Sequence, residues 1–388
     1  MKIQKYILII LGLILLFPTS TFSQAKKIKY EYTQLNEHAY VITRTGSSAV
    51  RRSNMGVIIG EKGLLLINPL FRLGEEDQFM KALKKISAMP VKFVINSNWD
   101  TYNTAANWYF KDKDVLIISH ENVVYHRNKH TQLLFKDKFS LDLGTESIIA
   151  YRSFGHSFGH INIHLKNANT TFMADSYRSQ WMTIEGPFGL EGHFKGIDMA
   201  LKMGDQNTKY ISGNTSGTII SKRQDLINEK IWRSNFSKRV FELKKQGKSN
   251  KEILMDDVVV GIFKQYDLYE HITDEIADWV INPLFYDEKA KTSILSPSQL
   301  KKYVGTYRLK DKSDVEIFIE NGQLFSKSIG QFYLKLVPTS DTHFWPYMQS
   351  LNVYQIFEMD DKKNVLGFTI RHGGATLKYI KTNNVTFK

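Results

Sequence analysis

Residues 94–107 read Val94-Ile-Asn-Ser-Asn-Trp-Asp-Thr-Tyr-Asn-Thr-Ala-Ala-Asn107, and this stretch decides how the surrounding chain is read. It continues Val91-Lys-Phe, so an apolar β-branched run ends abruptly in a turn of amides and one carboxylate. Val91–Ile95 therefore reads as a buried strand, the stretch from Asn96 to Asn103 as a polar turn, and Ala105–Phe110 as a short helix. Upstream, Tyr40-Val-Ile-Thr-Arg and Met55-Gly-Val-Ile-Ile-Gly are strand-like, and Glu61-Lys-Gly folds the second onto Leu64-Leu-Leu-Ile as a hairpin. Phe79, Ala82, Leu83 and Ile86 share one face of a helix that Pro90 ends. Downstream, the pattern predicts a strand over 115–119, a helix over 121–134, and strands over 147–151, 161–165 and 170–174. Strands alternating with helices imply a mixed sheet covered by helices, an α/β layered architecture.

Polar clusters recur where strands end, the place where α/β folds put their sites. After the first come Gly155-His-Ser-Phe-Gly-His, then Met173-Ala-Asp, then Ser212-Gly-Asn-Thr-Ser-Gly behind the strand Lys209-Tyr-Ile. In this order and spacing, residues 36–217 resemble a metallo-β-lactamase-superfamily domain. In that family a strand ending Val-Ile-Asn-Thr enters a His-x-His-x-Asp-His turn. A third histidine sits in a Gly-His-Thr/Ser turn, matched by Gly155-His156-Ser157, and a bridging aspartate is matched by Asp175. A last histidine in a Gly-His-Gly turn is matched by Gly213-Asn214. The resemblance implies an αβ/βα sandwich and a dinuclear zinc hydrolase. The ligands depart from it. Asn98 and Asp100 stand where the first two histidines belong, Tyr102 and Asn103 replace the Asp-His pair, and Asn214 replaces the last histidine. Asn68 is neutral where the family carries an acid. A carboxamide is a weak neutral donor, and a tyrosine of ordinary pKa, about 10, is protonated at neutral pH. Two zinc ions and their hydroxide cannot be assembled from such a set.

Two alternatives follow. One Zn, Mn or Fe ion is held by Asp100, His156 and Asp175, with the Asn98 oxygen as fourth donor, and one of Asp100, His156 and Asp175 acts as catalytic base. Otherwise no cofactor is present, His156 pairs with Asp175, and Asn98, Asn103 and Asn214 complete a neutral network. The second carries more weight, because amides avoid burying unpaired negative charge once a metal is gone. Trp99, Tyr102, His160 and Trp181 are candidate substrate-binding residues, His160 also as a proton carrier. The glycine-rich stretch 176–196, with Trp181, Met182, Phe188, His193 and Phe194, reads as a loop that either rims a cleft or packs down. His164 reads as structural or solvated, and His120, His126 and His130 as surface residues. Ser157 lacks a Gly-x-Ser-x-Gly setting and is no nucleophile.

The ends of the chain complete the reading. Lys2 and Lys5, the apolar run Tyr6–Phe17 and small polar residues before Gln24 make residues 1–23 a signal peptide, cleaved near Ser23 or Gln24. The mature chain is then periplasmic or secreted, with no transmembrane segment. The absence of cysteine removes thiolate chemistry, cysteine zinc sites and disulfides. The formal charge of +13 is scattered in pairs such as Lys84-Lys85 and Lys301-Lys302, which argues against nucleic acid as partner and for a solvated basic surface. A small molecule or anionic glycan remains a candidate ligand. Residues 28–217 form the metallo-β-lactamase-like domain and 218–295 a helical extension with helices near 226–247 and 272–279. Residues 296–388 form seven or so short strands, a small antiparallel barrel or sandwich. There Ser298-Gln-Leu-Lys-Lys-Tyr-Val-Gly-Thr-Tyr resembles a lipocalin-like domain appended to exported hydrolases, an accessory that stabilises or holds a ligand. The expectation is an exported binding protein with a degenerate metal site. The alternative is a single-metal hydrolase of esters, lactones or amides.

Overall fold

The structure is a computed structural model and describes residues 28–46, 52–123, 130–157, 159–183, 188–215, 217–268, 281, 284, 295–309, 314–320, 322–328, 334–346, 354–372 and 375–382. The leader segment 1–23, His126 and the helix expected over 272–279 lie outside the described residues. No described helix is long and apolar enough to cross a membrane.

The first sheet takes β1 (Lys29–Gln34), β2 (Ala39–Thr45), β3 (Arg52–Gly60), β4 (Gly63–Ile67), β5 (Val91–Asn96), β6 (Leu116–His120) and β7 (Leu133–Phe135) in that spatial order. The β3–β4 hairpin is antiparallel, whereas β4, β5, β6 and β7 run parallel. The second sheet uses β8 (Lys138–Asp142), β9 (Ser147–Arg152), β10 (Ile161–Leu165), β11 (Thr170–Ala174) and β12 (Lys209–Ser212). Of the two short strands that complete the set, β13 (Asn214–Thr215) crosses to pair with β3 of the first sheet, and β14 (Ile220–Ser221) borders β12.

Alternation along the strands builds four layers. Inner-facing Ile58, Leu65, Ile67, Ile95 and Ile118 meet Ala150, Ile163, Leu165, Phe172 and Ile211 between the sheets. The opposite faces of the same strands, through Val57, Leu66, Val94 and Ile117, pack on Phe79 and Leu83 of α1 (Glu76–Lys84). Two short helices, α2 (Thr101–Thr104) and α3 (Asn107–Phe110), follow β5, where a single short helix is expected from 105. Outside the second sheet, Met173 and Tyr210 pack on Ile197, Ala200 and Leu201 of α4 (Gly189–Met203) and Leu226 of α5 (Arg223–Lys245). This αββα sandwich is the layering that the sequence resemblance implies. Two shorter helices, α6 (Asn250–Leu254) and α7 (Asp257–Gln265), pack Ile253, Val259 and Phe263 on the Trp232, Phe236 and Val240 face of α5.

The helix expected over 121–134 is not formed as read. The described residues make one 3₁₀ turn at Glu121–Val123 and enter β7 by Leu133, where main-chain pairing with β6 takes up the apolar residues, and residues 124–129 lie outside the described residues. Likewise His120 is no surface residue: β6 buries it completely, its Nδ1 accepts from the Asn122 amide at 3.0 Å, and burial beside Arg152 holds its pKa at about 3.

After a capped turn of helix, α8 (Pro297–Lys301), eight strands close an antiparallel barrel: β15 (Gly305–Leu309), β16 (Asp314–Glu320), β17 (Gln323–Ser328), β18 (Leu334–Pro338), β19 (His343–Pro346), β20 (Tyr354–Met359), β21 (Val365–His372) and β22 (Ala375–Thr382). Rings fill its interior, with Tyr303, Phe344 and Phe357 at centroid separations of 4.7–5.0 Å. The barrel docks on the sandwich by the β16–β17 hairpin. Phe325 packs with Trp99 and Val123, and Arg152 Nη1 donates to Glu320 Oε1 at 2.8 Å.

Candidate functional site

The polar clusters converge at the C-terminal ends of the strands, as open α/β sheets require. A cavity of about 660 Å³ lies at the other end, lined by Lys62, Lys92, Asp114 and Gly144, and does not reach them. Asn98 follows β5, Asp100 precedes α2, and α2 carries Tyr102 and Asn103. The β9–β10 turn carries His156. β11 ends at Ala174 in left-handed backbone (φ 44°), a conformation that costs an L-residue about 1–2 kcal/mol and gathers at functional sites. Asp175 comes next. β12 then ends beside it, and Gly213 turns the chain so that Asn214 faces Ser53. A Cβ on Gly213 would lie 2.9 Å from Ala174 Cα and 3.1 Å from its carbonyl carbon, backbone that cannot swing away. Gly213→Ala is therefore expected to cost about 1–3 kcal/mol in chemical denaturation, from overpacking at this crossing. A variant as stable as the parent would show that the two turns do not press on each other.

Asp175 is fully buried and its carboxylate accepts four hydrogen bonds. Oδ2 accepts from Asn98 Nδ2 at 2.9 Å and Asn103 Nδ2 at 2.8 Å. Oδ1 accepts from Arg178 Nη2 and Asn214 Nδ2, each at 3.0 Å. Burial alone would raise this carboxyl's pKa, but the Arg178 charge, then His156 and the Asn98 bond, hold it well below the usual range. The amide orientations are fixed: Asn98 Oδ1 accepts from the Asp100 amide at 2.8 Å and Asn103 Nδ2 at 2.7 Å, so its NH₂ points at the carboxylate.

A second cluster adjoins the first. His156 Nε2 lies 2.9 Å from Asp100 Oδ2, and Tyr102 OH donates to the same oxygen at 3.1 Å. The partner of His156 is thus Asp100, where the sequence pairs it with Asp175; Arg178 has taken that place. Desolvation works against the imidazolium, yet the bond and charge of Asp100, with Asp175 behind it, raise its pKa. Burial and the two carboxylates push the Tyr102 hydroxyl far up, so it stays protonated.

Asp100, His156 and Asp175 can each point a ligand atom into a space where all three atoms lie within 4.8 Å of one another, a group that could hold one metal ion. The remaining residues do not fit a metal. Three amides turn NH₂ groups to Asp175, the Asn98 oxygen expected as fourth donor is already bonded twice, and a guanidinium sits on the central carboxylate. The set suits a site whose positive charge comes from the protein.

Other candidates lie elsewhere. Trp99, expected at a cleft rim, is 5% exposed beneath Phe325 of the barrel, since the indole between two site residues is the apolar surface that the barrel covers. His160 is fully buried: Nε2 donates to the Met173 carbonyl at 3.0 Å, leaving Nδ1 as acceptor toward Asn98 Nδ2 at 3.4 Å. Burial, with the His156 charge, lowers its pKa to about 4, so it is a neutral strut. Trp181 is half-buried just past Arg178, and Tyr102 half-buried beside it. His164 is buried against Thr171 Oγ1 at 2.9 Å. The stretch read as a loop to residue 196 is helical from Gly189. Its glycines allow close approach: a Cβ at Gly192 would lie 2.7 Å from the Phe154 carbonyl, and one at Gly196 2.6 Å from Ser153 Oγ. Consequently His193 faces Glu229 of α5, not a cleft. Sequence reasoning missed Arg178 altogether. Its signal was a basic residue three places after the site's one surviving bridging acid.

A domain family described as a domain of unknown function (DUF3471) matches residues 289–385. No curated protein matches the chain. Among solved structures, the chain is similar to a metallo-beta-lactamase from Pontibacter korlensis, at 13% identity and TM-score 0.45, over 52% of this chain and 97% of that one. It is similar to DIM-1 metallo-beta-lactamase exposed to ceftazidime at 16% identity and TM-score 0.44, over 53% and 96% of the two chains. VMB-1 gives 11% identity and TM-score 0.44, over 52% and 95%.

Proposed function

We propose that this chain is an exported binding protein of the metallo-β-lactamase superfamily, with a metal-free cleft that holds a small molecule or glycan without cleaving it. One observation carries the reading: the Asp175 carboxylate, which in a metal centre would face ions, is saturated by three amides and a guanidinium. The order of the four strand-end clusters and the αββα layers support the superfamily. Lys2, Lys5 and the apolar run to Phe17 support export. The lipocalin-like barrel, packed with rings and seated on Trp99, acts in this reading as a brace for the site loop.

The approach of Asp100, His156 and Asp175 to one another favours the second reading, a hydrolase of esters, lactones or amides using one metal. Elemental analysis of the mature protein, purified without chelator or added metal, separates the two. The expected result is far less than one transition-metal ion per chain. One equivalent, lost in His156→Ala, with turnover of an ester or lactone, would establish the hydrolase instead.

A further inference from the structure

We infer that Arg178 is a resident counter-ion that takes over the electrostatic role of a metal, and that its guanidinium is what keeps divalent cations from the Asp100–His156–Asp175 group; this rests on the metal-free reading. Arg178 is 5% exposed and has no freedom to act as a solvated surface charge. Its Nη2 lies 3.0 Å from Asp175 Oδ1 and 3.5 Å from Tyr102 OH, and Tyr102 in turn bonds Asp100. It therefore holds directly one of the two carboxylates that a cation at this place would need, and reaches the other through Tyr102.

The central carboxylate has its counter-charge without an ion: Asp175 is paired with Arg178 at 3.0 Å, while Asp100 Oδ2 lies 2.9 Å from His156 Nε2 and accepts from Tyr102 OH. A guanidinium suits the task because it never deprotonates in a protein and donates from a rigid fork, whereas a metal must be captured from solution. A dication entering the group would share Asp175 with a fixed positive charge a few ångströms away, in surroundings that screen poorly. The ligands themselves remain in place: their donor atoms already approach within 4.8 Å. The three ligands are in place, so of the obstacles around them Arg178 is the one that carries positive charge, and removing that charge should open a single-ion site.

The test is titration with Co²⁺ alone, followed by calorimetry and the visible ligand-field bands that appear when the ion is held by nitrogen and oxygen ligands. Wild type is expected to show no saturable binding. Arg178→Gln, which keeps a polar side chain and removes the charge, is expected to bind about one equivalent, at least about 100-fold tighter than wild type. Asp100→Asn added to it should abolish the gain. Arg178→Ala leaves Asp175 short of its cation, so its melting temperature should rise on adding Co²⁺ while that of wild type does not move. If Arg178→Gln is folded by circular dichroism and binds no tighter than wild type, the counter-ion inference is overturned and the metal-free reading stands. If Arg178→Gln fails to fold, absence of Co²⁺ rescue in Arg178→Ala overturns it equally. Should wild type bind one equivalent as tightly as the variant, the metal-free reading itself falls.

Discussion

Asp175→Ala is expected to lower the stability of the sandwich by about 3–5 kcal/mol, the cost of leaving a buried charge without its partner. The substitution removes the carboxylate paired with the Arg178 guanidinium and the shared acceptor of three amides, all from residues that are mostly buried. Chemical denaturation followed by far-ultraviolet circular dichroism measures it. A cycle identifies the cause: Asp175→Ala with Arg178→Met should be markedly more stable than Asp175→Ala alone, because a buried pair can be exchanged for apolar groups at little cost. If the double variant is no better, the loss comes from the amides and not from the stranded cation. The pH dependence has a definite sign. The folded-state pKa of Asp175 lies below its unfolded value, so its contribution is complete above about pH 4 and is lost only as pH falls toward the folded value.

A comparable loss, about 3–5 kcal/mol, is expected for Glu229→Ala, at a cluster that the sequence did not reveal. Glu229 on α5 is 4% exposed and accepts from Trp232 Nε1 at 2.9 Å and Arg233 Nε at 2.5 Å, with His193 Nε2 of α4 at 3.4 Å. Arg233 Nη2 also donates to the Thr183 carbonyl at 2.9 Å, which ties the helix pair to the segment leaving Asp175. Burial, then the Arg233 charge, lowers the His193 pKa to about 4, so among the described residues Glu229 is balanced by Arg233. Substitution should cut the denaturation midpoint and leave a buried guanidinium. Glu229→Gln, which keeps the shape and one accepting oxygen but turns an NH₂ toward the other of the two donors, should recover only part of the loss. Full recovery by glutamine would mean that shape and bonding matter here and charge does not.

How far the sequence reveals this molecule depends on the range of the interactions concerned. The β3–β4 hairpin, the strand ending at Asn96 and the four-cluster order are local patterns of alternation and turn residues, and they predict the layers. Asn98, Asn103, Asp100, His156 and Asp175 are brought together because each sits at a strand end that the fold aligns. What stayed hidden was directional. Which way an amide points, donor or acceptor toward Asp175, depends on the Asp100 main-chain amide that fixes Asn98. Composition also misled around Gly192 and Gly196, where glycine reads as loop but serves to seat α4 against the Ser153–Gly155 turn. Burial of Trp99 depends on a hairpin more than 200 residues later, which no window of sequence contains.

The crossing of β13 to β3 has a consequence for how the site comes into being. Asn214 is fixed by Ser53 Oγ across 161 residues of chain, and its pairing joins strands that belong otherwise to separate sheets. Closing so long a loop is entropically costly and gains contacts only at the end. Asp175 therefore obtains its full set of partners only when the chain from residue 53 to 214 has assembled. A partly folded form that holds most of its helices and strands still presents that carboxylate to water. In the binding reading proposed above, ligand recognition at this place would double as proof of completed folding, since the constellation has no shorter-range route to existence.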